Sequence, residues 1–150
     1  MIANRRELPP LEDRRASDAD GHDVLDPLGV AIVTVSSSRG RRVEMAPPDP
    51  SGDAIARILV EAGHVVTART LVPDDYVGIR TAVSDCLDRP DVDVVVTTGG
   101  TGVTADDVTP DAVGELVDRE LPGFGEAFRW LSWDEVGSRI VSTRATAGIA

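Results

Sequence analysis

The chain has 150 residues, 41% of them hydrophobic, which is enough to bury the core of one domain. Its formal net charge is −11 and all 15 basic residues are arginine, which argues against nucleic-acid binding because no basic patch could neutralise phosphates. No apolar run approaches the roughly 20 residues of a membrane span, and the single cysteine, Cys86, excludes an internal disulfide and fits the cytoplasm. We interpret the acidity as halophilic adaptation to a salt-rich cytoplasm, with an acidic interaction surface as the alternative.

The N-terminal region is polar, charged and interrupted by prolines, so residues 1–28 are predicted to form a disordered tail. The first strand is predicted over residues 30–35, an apolar run rich in β-branched residues. Ser36, Ser37 and Arg39 follow it at the carboxyl end. Their hydroxyls and guanidinium could grip an anion, and a plain serine-rich turn is the alternative.

A helix is predicted to start at Ser51 and to stop at Gly63, because apolar residues recur on one face and glycine ends the period. The second strand is predicted over residues 64–72. Asp74 and Asp75 then stand at the junction with the next helix. They could cap that helix, where a negative charge favours the helix dipole, or hold a hard cation such as Mg²⁺.

The third strand begins with three valines at residues 94–96 and runs into Thr-Thr-Gly-Gly-Thr-Gly at residues 97–102. Three glycines in four residues let backbone N–H groups approach a ligand, and the threonine hydroxyls are possible partners for an anion. A plain glycine-rich connection is the alternative. The loop ends on Asp107, and Thr109 is predicted to cap a helix whose first residue is Pro110.

The C-terminal part is predicted to contain two helices separated by a break at residues 121–125. The second, over residues 126–136, carries most of the few aromatic side chains, which predicts either a subunit interface or ordinary core. The β-α-β-α-β-α order of the whole chain predicts an α/β fold, with a mainly parallel sheet between layers of helices.

After the glycine loop comes the sequence Asp107-Val108-Thr109-Pro110-Asp111-Ala112. Four other stretches accompany it: Thr34-Val35-Ser36-Ser37-Ser38-Arg39, Asp49-Pro50-Ser51-Gly52, Leu121-Pro122-Gly123-Phe124-Gly125-Glu126 and Ser142-Thr143-Arg144-Ala145-Thr146-Ala147-Gly148. Taken in order from about Gly29 onward, these five stretches resemble the signature of the MoaB/Mog family of molybdopterin-binding proteins. Five motifs in one order are more specific than one glycine loop.

The resemblance implies a three-layer α/β/α sandwich over residues 29–150, usually assembled as a homotrimer, that acts in molybdenum or tungsten cofactor synthesis. Catalytic members of the family adenylylate molybdopterin: its phosphate attacks the α-phosphorus of Mg·ATP and pyrophosphate leaves. The relevant carboxylates of the family match Asp74 and Asp107. We therefore predict that these two residues are catalytic and place Mg²⁺ against the triphosphate.

The predicted binding residues for ATP and molybdopterin are Ser36, Ser37, Arg39, Asp49, Ser51, Thr98, Gly99, Gly100, Thr101 and Gly102. Two alternatives to the enzyme are a member that binds molybdopterin without turnover and an oligomeric scaffold with a vestigial pocket. The scaffold hypothesis follows from an expected truncation, because the family continues past the Ala-Thr-Ala-Gly of residues 145–148 into another strand and a Leu-Pro-Gly turn.

Overall fold

A computed structural model describes residues 2–3, 15–17, 23–25, 27–36 and 48–150. The strands are β1 (Ile2–Ala3), β2 (Arg15–Ser17), β3 (Asp23–Leu25), β4 (Gly29–Val35), β5 (Val65–Val72), β6 (Val94–Thr98), β7 (Arg119–Glu120) and β8 (Gly148–Ile149). The helices are α1 (Pro50–Glu61), α2 (Tyr76–Leu87), α3 (Thr109–Gly114) and α4 (Pro122–Val136), followed by a 3₁₀ helix at Gly137–Ser142. Within the described ranges, no helix has the length and apolar character needed to cross a bilayer.

Six strands form one mainly parallel sheet in the order β5-β4-β6-β1-β8-β7, and β2 pairs with β3 separately. β4 lies between β5 and β6 and is parallel to both, as the predicted β-α-β-α-β order requires. β1 pairs antiparallel with β6 and parallel with β8. The region predicted as a tail thus contributes three short strands. Most of its other residues lie outside the described ranges, so the boundary at residue 28 stays a prediction.

The strand β4 is buried at all seven positions, because helices cover both faces of the sheet. Alternate side chains of a strand point to opposite faces. One set packs against α2 and α3 in a single apolar cluster: Ala31, Val33, Val35, Ile79, Val83, Cys86, Val92, Val95, Ala112 and Val113. On the other face Thr34 donates a hydrogen bond to Asp49, the N-cap of α1. The predicted three-layer arrangement is confirmed, and Cys86 is a buried core residue.

The parallel strands β4, β5 and β6 end at the same edge of the sheet. Cross-strand pairs run in register to Val35↔Val72 and to Thr34↔Thr98. Just beyond β4, the N–H of Ser36 donates to the Val72 carbonyl at 2.9 Å. The C-terminal ends of the three strands therefore lie side by side. The turns that follow β4, β5 and β6 are therefore neighbours, and a ligand site is expected at this edge.

Two local predictions near the helix starts were wrong. The N-cap of α3 is Val108, with no side-chain cap hydrogen bond, and Thr109 is the first residue of the helix itself. Residues 121–125 do not interrupt a helix, because α4 begins at Pro122, where the missing N–H costs nothing in the first helical turn. In both cases the chain enters the helix one to four residues earlier than the sequence pattern predicted.

The aromatic side chains of α4 are not ordinary core. The exposed fraction is 78% for Trp130, 70% for Leu131 and 54% for Trp133, whereas a core helix would bury such residues. Phe124 stacks on Phe128 with ring centroids 6.3 Å apart, at the start of the same helix. Of the two predictions for this segment, the structure contradicts the core and leaves the subunit interface as a proposal.

Candidate functional site

The glycine loop between β6 and α3 lies directly over the end of β4. Gly99 and Gly100 have φ of +98° and +61°, a region that other residues rarely adopt. A β-carbon added to Gly99 would collide with the carbonyl oxygen of Val35. Glycine is therefore required at both positions by conformation, and at Gly99 also by the close approach of the two backbones.

Asp74 reaches the loop from the turn between β5 and α2. A β-carbon added to Gly100 would lie 2.9 Å from Asp74 Oδ1, so the carboxylate faces the bare backbone of that glycine. Within the described residues, the Asp74 side chain has no hydrogen bond or ion pair. Its neighbour Asp75 is the N-cap of α2 and accepts from Gly78 N at 2.7 Å. Of this acidic pair, Asp75 caps the helix, and the predicted ligand role of Asp74 stays a prediction.

Asp107 reaches the loop from its other end. A β-carbon on Gly102 would lie 2.6 Å from Asp107 Oδ2. The same oxygen accepts hydrogen bonds from Thr104 Oγ1 at 2.6 Å and Thr104 N at 2.9 Å. These two bonds, the N–H of Gly102 and the positive charge of Arg144 hold the pKa of Asp107 below its ordinary value of 3.8. The carboxylate is therefore ionised and fixed in place before any ligand binds.

Arg144 fastens the glycine loop to the C-terminal segment. Its backbone N–H donates to the Thr101 carbonyl at 2.7 Å and its Nε to the Gly102 carbonyl at 2.8 Å. Its Nη2 donates to the Asp107 carbonyl, and Nη1 bonds both carboxylate oxygens of Asp111 at 3.0 and 2.9 Å. One planar guanidinium can make this many directed bonds. Arg144 therefore sets the shape of the loop, a role that sequence reasoning missed although it lies within a quoted motif.

Asp49 and Ser51 lie at the start of α1. Asp49 accepts from Thr34 Oγ1 at 2.9 Å, Gly52 N at 3.0 Å and Arg69 Nη2 at 3.2 Å. Burial alone would raise the pKa of Asp49, but these hydrogen bonds outweigh it and lower the pKa below its ordinary value. All of these partners belong to β4, β5 and α1 rather than to the glycine loop. A ligand role for Asp49 and for the exposed Ser51 stays a prediction.

The remaining predicted binding residues are only partly within the described ranges. Ser36 is half-buried and follows β4 at the edge where the glycine loop lies. Thr101 Oγ1 lies 3.4 Å from Thr143 Oγ1, which is a second link between the loop and the C-terminal segment. Ser37 and Arg39 lie outside the described residues, so their predicted anion contacts stay predictions.

A cavity of about 280 Å³ opens beside the loop. Its walls come from the end of β6, the start of α3, the start of α4 and the C-terminal segment. They are lined by Ile55, Val96, Thr97, Thr98, Gly99, Thr101, Thr109, Pro110, Val113, Phe124, Phe128, Arg144, Ala145 and Thr146. An apolar wall with a few hydroxyls and one guanidinium is typical of a small-molecule site.

Comparison with known proteins identifies the family of this chain. A family model described as a probable molybdopterin binding domain matches residues 31–148. The chain belongs to this family. The matched range runs from β4 to β8 and includes the glycine loop, Asp74, Asp107 and Arg144.

Named relatives within the molybdopterin-binding family are similar over most of the chain. Molybdenum cofactor biosynthesis protein B of Escherichia coli (strain K12) is 43% identical over 124 residues, which cover 83% of this chain and 70% of that protein. The molybdopterin adenylyltransferase of Pyrococcus furiosus is 42% identical over 121 residues, which cover 81% of this chain and 68% of that protein.

Solved structures of the molybdopterin-binding family share the fold. The tungsten cofactor synthesizing protein MoaB from Pyrococcus furiosus aligns with a TM-score of 0.72 at 37% identity, covering 83% of this chain and 74% of that one. A molybdopterin biosynthesis protein from Mycobacterium abscessus aligns with a TM-score of 0.73 at 37% identity, covering 83% and 76%. The sheet and its helices are therefore those of this family.

Proposed function

We propose that the protein acts in the synthesis of the molybdenum or tungsten cofactor and transfers an adenylyl group from ATP to molybdopterin. The names of its relatives support the pathway and the reaction. The observation that carries the proposal is the position of two carboxylates from separate turns, Asp74 and Asp107, against one glycine loop at Gly100 and Gly102. This arrangement suits a reaction on a triphosphate, which needs positioning and charge neutralisation rather than a protein nucleophile.

The reaction balances without any further reactant. A phosphate oxygen of molybdopterin forms a bond to the α-phosphorus of ATP, and the bond from that phosphorus to the β-bridging oxygen breaks. Pyrophosphate leaves with the bonding electron pair. The part of this chain is to hold the attacking oxygen, the α-phosphorus and the leaving oxygen in line, with the loop's backbone N–H groups close to the phosphates because Gly100 and Gly102 carry no side chains.

Magnesium is the metal that the donors beside the loop suit. The described residues contain no group of three or more metal-ligating side chains, which argues against a structural metal cage. Mg²⁺ characteristically binds through one or two carboxylates together with substrate phosphates and water. Asp74 and Asp107 would hold it, and the ion would neutralise charge on the triphosphate.

Molybdopterin binding to the cavity beside the loop is the second part of the proposal. Phe124 and Phe128 give it an apolar wall against which a flat ring can pack. Thr98, Thr101 and Arg144 supply hydroxyls and a guanidinium at its rim. The same cavity favours the alternative of a member that binds molybdopterin without turnover, because nothing about the pocket itself requires ATP.

The direct test is pyrophosphate release from Mg·ATP in the presence of molybdopterin, across a salt series. The adenylyltransferase of Pyrococcus furiosus serves as the active control. We expect release that depends on molybdopterin, with adenylylated product in equal amount. Folded protein that releases no pyrophosphate, beside an active control, would contradict the adenylyl transfer.

Asp74→Ala and Asp107→Ala separate the enzyme from its alternatives. If the chain is an adenylyltransferase, turnover collapses in both variants, while molybdopterin binding measured by calorimetry largely survives. Binding without turnover in the wild type would support the non-catalytic alternative. The absence of both would support the scaffold.

A homotrimer is the assembly that we propose. The exposed face of α4, formed by Trp130, Leu131 and Trp133, has the composition of an interface centre. Light scattering should give a mass of three chains of 15.9 kDa. Trp130→Glu should dissociate the assembly, whereas Val60→Glu, at an exposed apolar residue of α1, should not. A wild-type monomer at micromolar concentration would overturn this proposal.

We place the protein in the cytoplasm of a cell with a salt-rich interior. Its cysteine is unpaired and buried, as in reducing compartments. The net charge of −11 with arginine as the sole basic residue type creates self-repulsion that salt screens. The unfolding temperature should therefore rise with KCl. Stability that is independent of salt between about 0.1 and 2 M would contradict the adaptation.

A further inference from the structure

The hydroxyl of Thr109 is buried and has no hydrogen-bond partner within the part of the chain that the structure describes. The exposed fraction of Thr109 is 2%, and its Oγ1 makes no hydrogen bond. Leaving such a group unsatisfied costs about 1–3 kcal/mol, so buried hydroxyls nearly always have a protein or water partner. Thr109 begins α3 but does not cap it, because Val108 occupies the capping position. The hydroxyl thus has no local structural use.

The hydroxyl of Thr109 and the carboxylate of Asp74 both lie close to Gly100. The backbone N–H of Thr109 donates to the Gly100 carbonyl at 3.1 Å, which fixes the threonine against the glycine loop. A β-carbon added to Gly100 would collide with Thr109 Oγ1 and would lie 2.9 Å from Asp74 Oδ1. The two oxygens therefore lie beside the same face of Gly100, close enough to each other for one water molecule to bridge them.

Asp74 lacks the support that the other carboxylate has. Its side chain has no hydrogen bond among the described residues, whereas Asp107 accepts two from Thr104. A ligand-binding carboxylate is held in one orientation by a second set of hydrogen-bonding groups in most well-formed sites. Among the described residues, a donor without an acceptor and an acceptor without a donor thus lie next to the same glycine.

We propose that Thr109 is a positioning residue for Asp74. A water molecule lies between the two oxygens beside Gly100, accepts a hydrogen bond from the Thr109 hydroxyl and donates one to Asp74 Oδ1. This link holds the carboxylate toward the glycine loop. The consequence for catalysis rests on the proposed function, since it requires Asp74 to bind Mg·ATP, but the hydrogen-bonded link itself does not.

Three variants test the link. Thr109→Val keeps the branched shape and removes the hydroxyl, and Thr109→Ser restores it. Thr67→Val is the matched control, because Thr67 Oγ1 is the other buried unpartnered hydroxyl of the described residues and lies on β5, where Arg89 bonds the Thr67 carbonyl. Affinity for Mn²⁺ with α,β-methylene-ATP is measured by calorimetry. We expect a loss of about tenfold in Thr109→Val, recovery in Thr109→Ser and no change in Thr67→Val.

A double-mutant cycle separates positioning from a general packing effect. If Thr109 acts through Asp74, Thr109→Val should have no further effect on this affinity in an Asp74→Asn background. Equal losses in both backgrounds would overturn the proposal, because the threonine would then act independently of the carboxylate. An unchanged affinity in Thr109→Val alone would overturn it as well.

A crystal structure gives a readout that needs no ATP binding. Wild-type crystals should show a water within hydrogen-bond distance of both Thr109 Oγ1 and Asp74 Oδ1. Thr109→Val crystals should lack this water, and the Asp74 carboxylate should rotate away from its wild-type orientation. An empty space in the wild type would refute the link. If wild-type protein fails to bind the ATP analogue but shows the water, the adenylyl transfer is wrong and the positioning role stands.

Discussion

The two carboxylates beside the glycine loop differ in how many protein groups hold them. Asp107 accepts two hydrogen bonds from Thr104, and Arg144 grips its backbone carbonyl. Asp74 faces Gly100 at the other end of the loop without a hydrogen bond to any described side chain or backbone group. One carboxylate is held by the loop's own hydrogen bonds, and the other has no such support within the described residues.

Because of this difference, substitutions at the two positions should affect folding stability and activity differently. Asp107 stabilises its loop, so a substitution there changes both the folded structure and the site. Asp74 contributes little to folding that the structure reveals, so a substitution there should change the site alone. Measuring activity and stability for substitutions at both positions therefore tests whether Asp107 supports the loop and Asp74 does not.

The largest effect is expected for Asp74→Asn. Turnover should fall by about 10²–10³-fold, the size seen when one preorganised charge-stabilising group is removed. The free energy of unfolding should change by less than about 0.5 kcal/mol, because no described hydrogen bond is lost. Pyrophosphate release and urea unfolding check the two halves. A clear loss of stability would show that Asp74 has structural partners and would remove its contrast with Asp107.

Asp107→Ala should damage both properties. Turnover should fall by about 10²-fold, and the unfolding free energy should fall by about 1 kcal/mol, because two hydrogen bonds from Thr104 lose their acceptor. The stability loss is small since water can reach this half-exposed loop. Asp106→Ala is the control, as this exposed neighbour removes the same charge without those bonds. Equal stability of the two variants would mean that the Thr104 contacts contribute nothing.

The sequence was sufficient for the parts of this site that are local in the chain. The valines of β6, the glycines after it and the two acidic turns each have a short-range signature, and parallel strand order brings their turns together. Arg144 was not assigned a role, because its hydrogen bonds reach the loop from 37 or 42 residues away. No spacing rule connects residues so far apart.

Thr109 shows why a local rule can fail. Threonine before proline is a frequent N-cap, so a cap was predicted. Instead Val108 is the N-cap and Thr109 is the first helical residue, with its N–H bonded to the Gly100 carbonyl. A tertiary contact with the glycine loop thus accompanies the failure of the capping rule, and no spacing in the sequence predicts that contact.

Thr104→Val removes the hydroxyl that hydrogen-bonds Asp107 but leaves the charge of Asp107 in place. One hydrogen bond to the carboxylate is lost and the backbone bond from Thr104 N remains, so the pKa of Asp107 should rise. We expect turnover to fall by about threefold to tenfold. Thr104→Ser should restore it. NMR titration of the Asp107 carboxyl group checks the pKa, and an unchanged value would show that the threonine hydroxyl does not hold the carboxylate.

The smallest effect is the pH dependence of stability that Asp107 contributes. Its pKa is lowered in the folded protein by the hydrogen bonds from Thr104, so the unfolded chain binds more protons in the window below the ordinary value of 3.8. The stabilisation is complete above that window and is lost as pH falls through the folded pKa. The pKa of Asp49 is also lowered in the folded protein. Because Asp49 is present in both wild type and Asp107→Asn, its contribution cancels when the two are compared.

Wild-type protein should therefore lose its stability advantage over Asp107→Asn on acidification. Urea unfolding between about pH 2 and pH 6 measures this, with the two unfolding free energies converging at the acidic end. A difference that stays constant over the whole range would mean that Asp107 titrates alike in the folded and unfolded chain. The hydrogen bonds from Thr104 would then not favour the ionised carboxylate, and the contrast with Asp74 would have to rest on geometry alone.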